Sequence, residues 1–215
     1  MKLHIREPVN ALTHLFGAIL AAVGLVFLII KASGNSDSAI AVTSVVIFGI
    51  SMILLYSASA TYHTVVANDQ VIQFLRKVDH SMIYVLIAGT YTPFCLIVME
   101  GPGGWILFSI VSSLALLGVI FKLTWFHSPR WLSTSLYVAL GWIVVFFSSS
   151  LAPVLGTAGM LNLFLGGIFY TIGALIYWLK PNFLSFKHMG FHEIFHIFIL
   201  FGSLFHFICI YWFVL

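Results

Sequence analysis

His192 and His196 stand one helical turn apart at the head of an apolar stretch that runs from Gly190 to the C-terminus, GFHEIFHIFILFGSLFHFICIYWFVL. Residues i and i+4 share a helix face, with Cβ atoms roughly 5–6 Å apart, so the two imidazoles can converge on one ion. Ionisable groups in a membrane-length apolar segment are costly to hold, which marks them as functional candidates. A third histidine, His63, closes an earlier apolar run. Three imidazole nitrogens with a fourth position open is the ligand set of hydrolytic zinc, so zinc is the expected metal and His63, His192 and His196 its expected ligands. Each histidine taken alone has a plainer reading, an interfacial ring at the level of the lipid headgroups.

Asp79, next to His80, could accept the proton of a water beside such a metal, or it could cap the helix it opens. Ser59 precedes His63 by one turn and faces the same way, unless its hydroxyl bonds back to its own helix. Glu7, Asn10 and His14 follow an i, i+3, i+7 pattern, a stripe that orients the site or simply lies at the interface. His192-Glu193-x-x-His196 also matches the zinc-protease pattern H-E-x-x-H, with Glu193 as base, which keeps intramembrane proteolysis open. His206 lies ten residues beyond His196, roughly 15 Å along a helix, too far to share the ion. It reads as a buried, hydrogen-bonded group. Pro93 interrupts the run Gly89-Thr90-Tyr91-Thr92-Pro93 and removes a helical hydrogen bond, a kink beside hydroxyls that suggests a cavity.

The elements that must carry these residues are membrane helices. Of 215 residues, 61% are hydrophobic and 7% charged, and the mean hydropathy is +1.12, far from a soluble domain. A net charge of +3 from nine basic and six acidic residues offers no nucleic-acid surface. Cys95 and Cys209 fall inside apolar runs and read as reduced thiols packed as small hydrophobes, with a disulfide the alternative. Seven runs have spanning length, at about 11–30, 39–63, 78–99, 105–126, 131–151, 159–179 and 191–215. The expectation is a single all-α domain over 1–215, a seven-transmembrane helix bundle. Lys2, Arg6, Arg76, Lys77, Lys122, Arg130, Lys180 and Lys187 fall on one side of such a topology and Lys31 on the other. That asymmetry places the N-terminus in the cytoplasm and the C-terminus outside. His14, His63, Asp79, His80, His192 and His196 then share one depth, near the cytoplasmic face.

With these residues the sequence resembles the haemolysin III proteins, the bacterial branch of the progestin and adiponectin receptor family. The resemblance rests on Glu7-x-x-Asn10-x-x-x-His14, Ser59-x-x-x-His63, Asp79-His80, the run AGTYTPF from Ala88, and HEIFH from His192 with the later His206. It implies a multi-pass protein of the plasma membrane, seven helices with a cytoplasmic N-terminus, and a zinc ion on His63, His192 and His196. Asp79 and Ser59 lie near that ion in the family pattern, and Glu193 is not expected to be the base. The related alkaline ceramidases hydrolyse lipid amides with a similar residue set, so the resemblance implies a zinc-dependent hydrolase of lipid amide or ester bonds, with a membrane lipid as substrate. Two other readings stand beside it: a cytolytic protein that permeabilises membranes, and a receptor or sensor whose zinc is structural. A retinal pigment is disfavoured, because no lysine follows His192 to form a Schiff base.

Overall fold

A chain this apolar can satisfy its backbone inside a bilayer by forming helices, and the computed structural model is helical with no strand among the described residues. The structure describes residues 5–34, 38–99, 101–125, 127–184, 186 and 189–215. Lys2 and Lys187, which enter the charge asymmetry, lie outside them. The helices are α1 (Pro8–Ala32), α2 (Ser38–Thr64), α3 (Asp69–Pro93), α4 (Pro102–Thr124), α5 (Arg130–Trp142), α6 (Ser148–Leu179) and α7 (Phe191–Cys209). Among the described residues six stretches are long and apolar enough to cross a membrane, with Arg130–Leu179 counted as one run of 50 residues.

That run would extend roughly 75 Å if straight, more than twice the hydrocarbon thickness of a bilayer. It is not straight. A 3-10 turn at Ile143–Phe147 ends α5, and within α6 Gly156 has φ 62° and ψ −178°, a conformation open to glycine and to few other residues. Trp142 Nε1 consequently donates to Thr171 Oγ1 at 2.8 Å, across 29 positions of sequence. At the far end the Arg130 guanidinium lies 5.3 Å from the Tyr177 ring. The run therefore doubles back on itself at Gly156, whose non-helical backbone separates two helical stretches within the connector expected at 152–158.

The third helix also differs from its expected limits. It starts at Asp69 rather than near residue 78, with Asn68 as its cap, whose Oδ1 accepts from the Val71 N–H at 3.0 Å. Its first turns, DQVIQFLRK, are too polar to register as membrane span. Asp79 therefore lies ten residues inside α3 and does not cap it. After Pro93 the helix widens into a π-helical turn, Phe94–Val98. Cys95 and Cys209 are both buried free thiols, and Cys209 Sγ donates to the Gly159 carbonyl at 3.3 Å.

The distribution of polarity is inverted relative to a soluble protein. Phe16, Ile30, Trp105, Leu116 and Phe146 are exposed, whereas Asn10, His14, Ser51, Ser59, His63, Thr92 and His196 are buried. Lipid solvates the outer faces at no cost, so the interior can be given to hydrogen-bonding groups and close packing. The most extensive contacts are α1 with α2, α2 with α3 and α6 with α7. They bring the C-terminal end of α2 against the N-terminal ends of α1 and α7, which is what gathers the histidines.

Candidate metal centre

His63 comes from the last turn of α2, and His192 and His196 from the first two turns of α7. One ring nitrogen from each lies within 4.8 Å of the other two. The ring centroids are 5.1 Å apart for His63 and His192, 5.0 Å for His63 and His196, and 4.8 Å for His192 and His196. A tetrahedral zinc with bonds of about 2.0–2.1 Å holds its nitrogens roughly 3.3 Å apart. Small side-chain rotations close that difference, most easily at half-buried His192, since His63 and His196 are each 1% exposed.

The outer hydrogen bonds decide which nitrogen faces inward. Glu7 Oε2 lies 2.6 Å from His63 Nδ1, and a carboxylate at that distance accepts the Nδ1–H, leaving the Nε2 lone pair for a metal. His63 Nε2 is buried without a hydrogen-bond partner. On the other ring, Thr13 Oγ1 donates to the Asn10 carbonyl at 3.0 Å and stands 3.3 Å from His196 Nδ1. With its proton so used, Thr13 accepts from His196 Nδ1–H, and His196 also presents Nε2. These donors fit a zinc ion: neutral imidazoles, oriented from outside, with a buried lone pair unclaimed by the protein.

The stripe from α1 supplies this bracing. Asn10 Nδ2 donates to Glu7 Oε2 at 3.2 Å and to Glu193 Oε1 at 2.8 Å, joining the start of α1 to the start of α7. The backbone N–H of Glu7 donates to the His63 carbonyl at 3.0 Å, which fixes the entering strand of chain to the end of α2. Partial burial pushes the Glu7 carboxyl up, but His63, Arg6 and Asn10 together outweigh it and hold the group below its ordinary range. His14 stacks on His196, centroids 3.5 Å apart and planes 10° apart. Both His14 nitrogens are buried without partners.

Glu193 is fully occupied elsewhere. Its Oε2 accepts the Gly190 N–H at 2.7 Å and caps α7, while Oε1 takes the Asn10 amide. That commitment counts against a protease-type base at this position.

Asp79 does not enter the three-nitrogen group. It stands on the wall of an adjoining cavity of about 390 Å³, whose lining also includes Ser59. His14, His192 and His196 reach the same cavity, so the histidine cluster opens into it. The volume is within the range of small-ligand pockets. Beyond the polar end its wall is Leu55, Leu86, Phe94, Val144, Phe164 and Ile199, a chamber suited to an acyl chain. Thr90 and Tyr91, beside the Pro93 kink, form part of it.

Two expected neighbours sit apart from the cluster. His80 lies 3.5 Å from the Tyr177 hydroxyl through Nε2, and its carbonyl accepts from Tyr137 at 3.1 Å. His206 is buried deeper in the bundle, its Nε2 bonded to the Leu163 carbonyl at 3.2 Å. Sequence reading passed over Thr13, whose hydroxyl has no motif beyond being three residues after Asn10, and Lys122, which it counted only as a topological charge.

The family model described as haemolysin-III related matches residues 3–207. The chain is 43% identical over 205 residues to a protein of Bacillus subtilis (strain 168) named Hemolysin-3 homolog, covering 95% of this chain and 92% of the relative. It is 40% identical over 210 residues to Hemolysin-3 of Bacillus cereus, with 97% and 92% covered.

Proposed function

The chain belongs to the haemolysin-III-related family, and from the three-histidine cluster, of which His192 and His196 line an adjoining, partly apolar cavity, we propose that it is a membrane zinc protein that hydrolyses amide or ester bonds of lipids. The observation that carries the reading is the buried, unpartnered Nε2 of His63, held by Glu7 toward His192 and His196. A zinc ion bound there would supply Lewis acidity beside the cavity.

The protein's own groups do the rest. Asp79 accepts a proton from the attacking water and returns it to the leaving amine or alcohol. Ser59, in the same cavity lining, is the hydroxyl available to orient the Asp79 carboxyl. The apolar walls take the acyl chain and exclude bulk water, which strengthens every electrostatic contact at the mouth.

The proposed topology has seven crossings of the cell membrane, the doubled-back Arg130–Leu179 run counting as two, with the N-terminus cytoplasmic. Arg76, Lys122, Arg130 and Lys180 share the end of the bundle that holds the histidines, and Lys31 lies at the other. The positive-inside rule then puts the site near the cytoplasmic face.

Metal content by mass spectrometry on detergent-purified protein tests the reading. About one zinc per chain is expected for wild type, lost in His63→Ala and in His192→Ala. A wild type that stays metal-free after zinc is supplied removes the hydrolase. The names of the relatives favour a second reading, membrane permeabilisation. Dye leakage from protein-free liposomes that is equal for wild type and His192→Ala would support that reading and separate it from zinc chemistry.

A further inference from the structure

The cavity lining carries charge that the hydrolytic reading does not use. Lys122, in the last turn of α4, is only 3% exposed. Its Nζ donates to Ser133 Oγ and, at 3.4 Å, to Ser128 Oγ. Arg130, the first residue of α5, lines the same cavity, as do Arg76 and both serines. Among the described residues no carboxylate forms an ion pair with Lys122 or Arg130; the arginine–carboxylate pair found there is Arg6 with Glu7.

This is not the usual placement of a basic residue at a membrane border. A lysine there extends its stem outward so that the ammonium reaches water and headgroups. Lys122 is turned inward and buried, with two neutral hydroxyls as partners, which satisfy N–H groups but leave the charge uncompensated. A buried cation lining a cavity, with two hydroxyls bonded to it and an arginine also in the lining, is a recognition site for an anion with several acceptor oxygens.

We propose that Lys122 and Arg130, with Ser128 and Ser133, form an oxyanion-binding subsite of the cavity, taking a phosphate- or carboxylate-type group. The anion is the headgroup of an amphiphile whose chain runs along the apolar wall, or a free phosphate. The first makes the substrate an anionic lipid rather than a neutral one. This extension to the substrate class rests on the cavity being the substrate chamber.

The test uses full-length protein in uncharged detergent, stripped of metal by chelation and titrated calorimetrically with octyl phosphate, octanol and inorganic phosphate. Octyl phosphate binds at least about 10-fold tighter than octanol, and Lys122→Met and Arg130→Gln each reduce that preference by about 10-fold while octanol binding holds. Lys122→Arg retains the preference, which separates lost charge from disturbed packing. Inorganic phosphate that competes as strongly as octyl phosphate assigns the subsite to a free anion; competition confined to the chain-bearing phosphate assigns it to a lipid headgroup. Equal affinity for octyl phosphate and octanol, or a preference untouched in both Lys122→Met and Arg130→Gln, overturns the proposal. Zinc content and turnover on the same preparations are read separately: protein that prefers octyl phosphate yet never holds zinc sinks the hydrolase and leaves the subsite standing.

Discussion

Replacing Glu7 with glutamine removes one charge and leaves every ligand nitrogen in place. The carboxylate holds His63 Nδ1–H at 2.6 Å, so its loss weakens both the orientation of the ring and the basicity of Nε2. Groups in this position are typically worth 10–100-fold in metal affinity, about 1.4–2.7 kcal/mol. The Glu7 side chain is 41% exposed, and solvent screening puts Glu7→Gln at the low end, about 10-fold, since the amide oxygen still accepts the hydrogen bond. Glu7→Ala, which removes the acceptor altogether, lies nearer 100-fold. Zinc competition against a chromophoric chelator reads both. The ratio of wild type to Glu7→Gln should also be flat between about pH 6 and 8. Glu7 is held below its ordinary range, so its contribution is complete above the unfolded value and fades only as pH falls through the lower folded one. An affinity unchanged within about twofold would refute the bracing role; a loss as complete as that of His63→Ala would make Glu7 a ligand itself.

Turnover separates the two carboxylates near the site: Asp79→Asn should abolish hydrolysis while keeping zinc, whereas Glu193→Gln should keep both and loosen only the start of α7. Reversed results on a lipid amide would restore the protease-type assignment. Tyr91 donates to the Gly141 carbonyl at 2.8 Å and accepts the Val144 N–H at 2.8 Å, so Tyr91→Phe strands a backbone donor and should cost about 1–3 kcal/mol in detergent unfolding. Gly104→Ala should cost at least as much, because the added Cβ strikes the carbonyl oxygens of Cys95 and Met99, backbone atoms that cannot swing aside. A Gly104→Ala protein as stable as wild type would show that the start of α4 packs otherwise.

The presence of long apolar helices and the histidine pair were readable because both depend on local chemistry. A run of twenty apolar residues announces its environment, and i, i+4 spacing puts His192 and His196 on one face wherever the helix goes. His63 could be added because its end of α2 had to share a depth with the start of α7. Features that depend on tertiary packing were not readable. The start of α3 escaped because DQVIQFLRK is amphipathic rather than apolar, whereas the break at Gly156 was legible from the Pro and Gly of Ala-Pro-Val-Leu-Gly-Thr-Ala-Gly. Lys122 was one more basic residue beside a connector until its burial against Ser133 set it apart. Thr13 matters only because Asn10 consumes its proton, a relation invisible without coordinates.

The doubled-back run has a consequence for how the protein is made. No charged residue separates Arg130 from Lys180, and the fold returns the second to the neighbourhood of the first, where Arg130 lies on Tyr177. The insertion machinery therefore meets one uninterrupted apolar segment with a positive residue at each end, and in the proposed seven-crossing topology both ends stay on the same side. In that topology the segment is expected to enter the bilayer as a paired unit, because its bend carries no charge across. The two arms depend on each other from synthesis onward: a chain released after the first arm lacks the Thr171 hydroxyl that Trp142 needs, and quality-control proteases would meet it as an orphan.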